Sequence, residues 1–288
     1  MTNDIEFEYI ETNGITLHVA VTGPEDGNLV IVLHGFPDFW YGWRKQIKML
    51  AEAGYRVVVP DQRGYNKSDK PKGKRAYVID ELQQDIIGLI KHYKRRDAVI
   101  IGHDWGGAVG WHLTSTHPEL VQKFISINIP HMGVFPQALL KTPSQLIKSL
   151  YMVFFQIPVL PEKILGIRNF KNTAQVLKGS SKKGTFIESD IGEYKQAWSK
   201  SGALTGMLNW YRALPLSWKH INKENIKVPV KIIWGEKDRF LSKRLAEESL
   251  QFINATSVTL INRATHWVNQ EEAETVNKEI LKFLNESY

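Results

Sequence analysis

The chain has 288 residues, with 37 Lys or Arg against 30 Asp or Glu and a formal net charge of +7. Its 43% hydrophobic and 23% charged residues are ordinary for a globular protein able to bury a sizeable core. It has no cysteine, which excludes disulfides.

Residues 1–14 contain no basic stretch followed by an apolar one, so no signal peptide is expected. Apolar, β-branched runs then recur, and they predict strands over Ile15–Val21, Leu29–Leu33, Arg56–Val59, Ala98–Ile101, Phe124–Asn128, Val230–Trp234 and Ser257–Ile261. Helical periodicity falls between them. Val78–Tyr93 places Ile79, Leu82, Ile86, Leu89 and Ile90 on one face; further helices are expected from near Trp105, from near Ser242 and after Glu271. This alternation implies an α/β fold, a mostly parallel sheet covered on both faces. From about residue 131 to 220 it stops, and the stretch is helical in pattern, aromatic, and broken at Pro143, Pro158, Pro161 and Pro215. The economical division is a first core segment (1–130), an inserted helical cap (131–220) and a second core segment (221–288).

Leu150–Leu160, the most apolar part of the insertion, is short and interrupted by Gln156 and Pro158, so no membrane span is expected. Basic clusters at Lys70–Arg75 and Lys91–Arg96 lie apart, the first in a Pro/Gly-containing loop and the second at the end of a helical pattern, where cations suit the helix dipole. The excess charge therefore reads as a scattered, solvated surface and not as a nucleic-acid interface. Cytoplasm is the default location.

In an open parallel sheet ligands bind beyond the carboxyl ends of the strands. The strand Leu29–Leu33 is followed by HGFP, Ala98–Ile101 by GHDWGG, Val230–Trp234 by GEKDRF and Ser257–Ile261 by NRATHW. These turns place Asp104, Asp238 and His266 at three strand ends, in the chain order nucleophile, acid, histidine of α/β-hydrolases. Asp104 stands where a serine hydrolase carries its serine; as a bland alternative it would be a helix N-cap. Glycines 102 and 106 around it indicate a tight turn. Glu236 competes with Asp238, which is preferred because apolar Phe240 and Leu241 follow it. His34 and His103 read as local hydrogen-bonding residues of their turns. The Phe36 and Trp105 backbone N–H groups should converge as an oxyanion hole.

Together HGFPDFWYGW, DQRGYNKSDKP, GHDWGG, LNWYR, WGEKDRF and THW resemble the soluble epoxide hydrolases of the α/β-hydrolase fold, from Ile15 to the C-terminus. The resemblance implies two cap tyrosines, one in a segment like SLYMVFFQ and one in LNWYR; these positions are Tyr151 and Tyr211. It also implies a covalent ester on Asp104, an epoxide oxygen activated by the tyrosines, and ester hydrolysis by water activated by His266 and Asp238. A small apolar epoxide and water are the expected partners, with no metal or organic cofactor, in a monomer or homodimer. Candidate pocket walls are Trp105, Phe155, Trp210 and Trp267. The core motifs are shared with haloalkane dehalogenases, where the same aspartate displaces a halide and the tyrosines have no role. A silent binding protein on the same fold is a further alternative. Three departures stand out: His131–Met132 where relatives often have proline after the histidine, IPVLP after Gln156, and Asn128, which cannot serve as an acid at its strand end.

Overall fold

The computed structural model describes residues 5–222, 224–254 and 256–287. Among them one sheet has eight strands in the order β1-β2-β4-β3-β5-β6-β7-β8. They are β1 Glu6–Thr12, β2 Ile15–Thr22, β3 Leu29–Leu33, β4 Arg56–Pro60, β5 Ala98–His103, β6 Val121–Ile127, β7 Val230–Gly235 and β8 Thr256–Ile261. The β1–β2 and β2–β4 pairings are antiparallel and all others parallel. Every residue of β3, β5 and β7 is buried, which is why they read as unbroken apolar runs.

The seven expected strands are present, and β1 is an eighth that its composition hides. Three of its seven residues are glutamate, and only Ile10 and Thr12 are buried. Asn13 and Gly14, both at positive φ, form its hairpin to β2; this Asn-Gly pair was the available signal. The strand expected at Phe124–Asn128 begins at Val121 and stops before Asn128, whose φ of 46° turns the chain out of the sheet.

Helices α1 Arg44–Glu52, α2 Ile79–His92 and α3 Trp105–Thr116 flank the sheet; α1 was not anticipated. Beyond β6 the chain runs through α4 Phe135–Lys141, α5 Pro143–Lys148, α6 Leu150–Phe154, α7 Leu160–Ser180, α8 Glu188–Trp198 and α9 Ala203–Ser217 before re-entering the sheet as β7. The last helices are α10 Arg244–Ser249, α11 Val268–Glu271 and α12 Ala273–Asn285. Leu82 and Ile86 of α2, Ala108 and Trp111 of α3, and Leu177, Tyr194 and Trp210 from the helical segment belong to one apolar core. Ile47 and Leu50 of α1 join Val276 and Ile280 of α12 in a second core on the other sheet face. The sheet is thus covered by an apolar cluster on each face, and Asp104 and His266, beyond the ends of β5 and β8, share a cavity with residues of the helices between β6 and β7.

Candidate active site

Between β5 and α3 stands a single residue, Asp104, at φ 51° and ψ −125°. Such a backbone costs a non-glycine residue on the order of 1–3 kcal/mol and projects its side chain beyond the sheet. The turn is close-packed. A Cβ on Gly106 would fall 2.3 Å from the Leu33 carbonyl oxygen, and one on Gly35 would fall 2.3 Å from the Asp104 Cβ. The glycines therefore let β3 and its following loop pass directly under the aspartate.

That loop donates the Phe36 N–H to Asp104 Oδ1 at 2.9 Å. Trp105 is the first residue of α3, so its N–H has no acceptor within the helix. On the other oxygen, His266 Nε2 lies 3.5 Å from Asp104 Oδ2, while His266 Nδ1 donates to Asp238 Oδ2 at 2.7 Å. All three side chains are buried, with Asp104 9% and His266 3% exposed. Burial opposes the charge of His266, yet the carboxylates of Asp238 and Asp104 outweigh it and lift the imidazole to about 10. Burial also opposes the charge of each aspartate, but the facing histidine holds both below the usual carboxylate range. The resting site is an imidazolium clamped between two carboxylates.

Asp238 is held from four directions. Its Oδ1 accepts the N–H groups of Phe240 (2.7 Å) and Leu241 (2.9 Å), and its Oδ2 accepts Asn128 Nδ2 (2.6 Å) as well as His266. Glu236, the competing acid, turns away and pairs with Lys243. Asn128 is a residue whose part at this site the sequence reading missed. Its Oδ1 accepts the Gly235 N–H at 2.8 Å, so it bridges the ends of β6 and β7 while orienting the acid. The signal was a polar residue ending the strand beside the one that carries Asp238. Lys148 was also missed; its Nζ donates to the Asp238 carbonyl at 2.9 Å.

His34 and His103 do sit locally. His34 Nδ1 donates to the Gly35 carbonyl at 3.0 Å and its Nε2 accepts the Gln62 N–H at 3.0 Å, an arrangement that requires a neutral ring; burial lowers it to about 4. His103 Nε2 donates to the His266 carbonyl at 2.9 Å, and burial likewise lowers it to about 4.

Asp104, Tyr151 and Tyr211 stand together at the junction of two cavities. The larger, about 350 Å³, is lined by Phe36, Phe155, Leu177, Phe240, His266 and Trp267 among others; the smaller, about 40 Å³, includes Trp105, Met132 and Leu241. Tyr211 on α9 packs edge-on against Trp105 and Phe36, at 5.1 and 5.2 Å between ring centres, and Tyr151 on α6 lies 5.8 Å from Tyr211. Burial first, and then the neighbouring negative charge, raises both phenols above their ordinary range, so both remain proton donors. Of the expected walls, Phe155 and Trp267 line the larger cavity and Trp105 the smaller. Trp210 lines neither. One residue before Tyr211, about 100° around the helix, it donates Nε1 to the Arg63 carbonyl at 2.9 Å and packs on Tyr65. Among the described residues no group of three or more His, Cys, Asp or Glu side chains is placed to hold a metal ion. The departure at Met132 borders the smaller cavity, and that at IPVLP gives Val159 a φ of 67°.

Residues 28–273 match the family described as alpha/beta hydrolase fold. A Bacillus subtilis (strain 168) chain named AB hydrolase superfamily protein YfhM is 48% identical over 280 residues, 97% of this chain and 98% of that one. Human epoxide hydrolase 4 is 37% identical over 287 residues, 96% of this chain and 78% of its own. A crystal structure of an epoxide hydrolase from Bacillus megaterium, in complex with an inhibitor, superposes with a TM-score of 0.87 at 31% identity, covering 97% of this chain and 100% of that one.

Proposed function

Because the chain belongs to the epoxide hydrolase family of the α/β-hydrolase fold, we propose that it converts an apolar epoxide to a vicinal diol through a covalent ester on Asp104. Residues 131–220 act in this reading as a cap that brings both tyrosines over the nucleophile. Asp104 Oδ1 is engaged by the Phe36 N–H, which leaves Oδ2 to attack. Oδ2 forms a bond to one ring carbon as the carbon–oxygen bond on the opposite side breaks. The departing oxygen takes a proton from Tyr151 or Tyr211, leaving a phenolate.

The second half needs a neutral histidine, and the first half creates one. Esterification cancels one of the two charges that hold the proton on His266. The imidazolium then releases its proton, through solvent, to the phenolate, and both groups are reset. His266, oriented by Asp238, next deprotonates a water that attacks the ester carbonyl. The N–H groups of Phe36 and Trp105 stabilise the oxyanion; collapse expels the diol oxygen, which takes the hydroxyl proton of the tetrahedral intermediate, and leaves Asp104 a carboxylate beside the protonated His266.

The observation that carries this reading is the pair of protonated phenols sharing one cavity with the carboxylate and the histidine. Displacement of a halide has no use for them. The test is a parallel assay of small epoxides and bromoalkanes with the wild type and Tyr211→Phe. Diol formation should fall by roughly 100-fold or more in the variant. Bromide release indifferent to the substitution, without diol formation, would overturn the reading. In a single turnover in ¹⁸O-water, the label should enter the Asp104 side chain before it enters the diol.

A further inference from the structure

The excess charge of the chain is not scattered. Residues 141–183 hold eight Lys or Arg and a single acidic residue, Glu162, while the other 245 residues hold 29 of each sign. One segment therefore accounts for the whole net charge of +7. Glu162 does not offset it locally, because Arg212 from α9 binds its carboxylate at 2.7 and 3.0 Å. Lys163, Arg168, Lys171 and Lys183 are exposed.

The same segment carries most of the exposed aliphatic surface. Of 16 large hydrophobic side chains exposed among the described residues, ten lie between Leu146 and Val176. The pattern is ordered. Ser149 donates its N–H to the Gln145 carbonyl at 3.0 Å and so carries α5 on into α6. Along that run Ile147, Leu150 and Val153 follow at spacings of three, which keeps them on one face, and Ile157 lies just beyond its end. All four are exposed, Ile147 by 69% and Val153 by 67%. The opposite face supplies Lys148, Tyr151 and Phe155 to the larger cavity. A helical run apolar on both faces is not built to end in water. Val176 of α7, 60% exposed, also lines that cavity, so the cavity reaches the surface within this patch.

We propose that the outer face of α5–α7 docks on an anionic lipid surface, with the mouth of the larger cavity turned toward the bilayer. Aliphatic side chains flanked by lysines match the acyl–headgroup boundary, where apolar burial and attraction to negative lipid act together. A second copy of the chain is a poorer occupant, since a self-complementary contact would set the same positive segments against each other. No described helix is long and apolar enough to cross a bilayer. That docking loads apolar epoxides from the membrane rests on the activity proposed above; docking itself does not.

The experiment is vesicle flotation of the full chain with phosphatidylcholine alone and with 30 mol% phosphatidylglycerol, at low and high salt. Flotation is expected only with the anionic vesicles, and it should fall as salt rises. Lys163→Gln with Lys171→Gln should weaken partitioning by about fivefold per charge. Ile147→Ser with Val153→Ser should abolish it, while hydrolysis of a water-soluble epoxide is unchanged. Asp104→Asn should float like the wild type, which separates docking from catalysis. No flotation with anionic vesicles at low salt, or equal flotation with neutral ones, would overturn the proposal. So would a solution dimer that the Ile147→Ser, Val153→Ser pair converts to monomer.

Discussion

Replacing Asp104 by asparagine tests the electrostatic logic of the site directly, because the amide matches the carboxylate in shape and, like the proposed ester, carries no charge. His266 Nε2 lies 3.5 Å from Asp104 Oδ2. At an effective dielectric of about 20, a charge pair at that separation is worth about 5 kcal/mol, or between three and four tenfold steps in proton affinity. His266 stands at about 10 in the intact site, so in the variant it should titrate at about 6.5. NMR of ring-labelled histidine resolves this: the wild-type imidazole should stay protonated from pH 6 to 9, and that of Asp104→Asn should lose its proton across the same window. If the variant's His266 remains protonated above pH 9, Asp104 is not what holds the proton, and the switch from resting cation to base fails. If the wild-type ring already titrates near pH 6.5, the clamp itself is wrong.

Asn128→Gly keeps the positive φ open but removes both bonds of the bridge; it should cost about 1–3 kcal/mol in urea unfolding. It should also lower kcat more than kcat/KM, because only ester hydrolysis uses the oriented His266. Asp38, buried and accepting Tyr194 Oη at 2.9 Å, is raised by burial to about 7 from an ordinary 3.8. The folded state thus binds this proton more tightly, and the stability it contributes is greatest below pH 4 and is lost as pH rises to 7. Relative to wild type, Asp38→Asn should therefore gain roughly 4 kcal/mol between pH 4 and pH 8 in denaturant melts; a constant difference would refute the assignment. Gly106→Ala, which drives a methyl to 2.3 Å from a backbone oxygen, should cost more than about 3 kcal/mol or prevent folding. By contrast, Gly192→Ala on α8 meets nothing within 4 Å and should stabilise by about 0.5–1 kcal/mol, both read as thermal midpoints.

The alternating fold was legible in the sequence because parallel strands buried on both faces must be continuous apolar runs, as β3, β5 and β7 are. The positions of Asp104, Asp238 and His266 at strand ends were legible for the same reason, since strands of one parallel sheet end on one side. β1 was lost because an edge strand facing water can be rich in glutamate. Tyr151 and Tyr211 could be named only through resemblance: their rings come from α6 and α9, 60 residues apart in the chain, and meet beside Asp104 only in the folded molecule, which no local pattern encodes. The preference for Asp238 over Glu236 was already legible in the apolar Phe240 and Leu241 that follow it, and the pairing of Glu236 with Lys243 agrees with it; the bridge made by Asn128 and the exclusion of Trp210 from the cavity were decided by tertiary structure alone. Charge presents the opposite case. The concentration of positive residues in 141–183 was written in the sequence, but it gained meaning only once folding turned the aliphatic side chains of the same segment outward. Composition determines how much charge and apolar surface a chain owns; long-range packing determines which of it faces water.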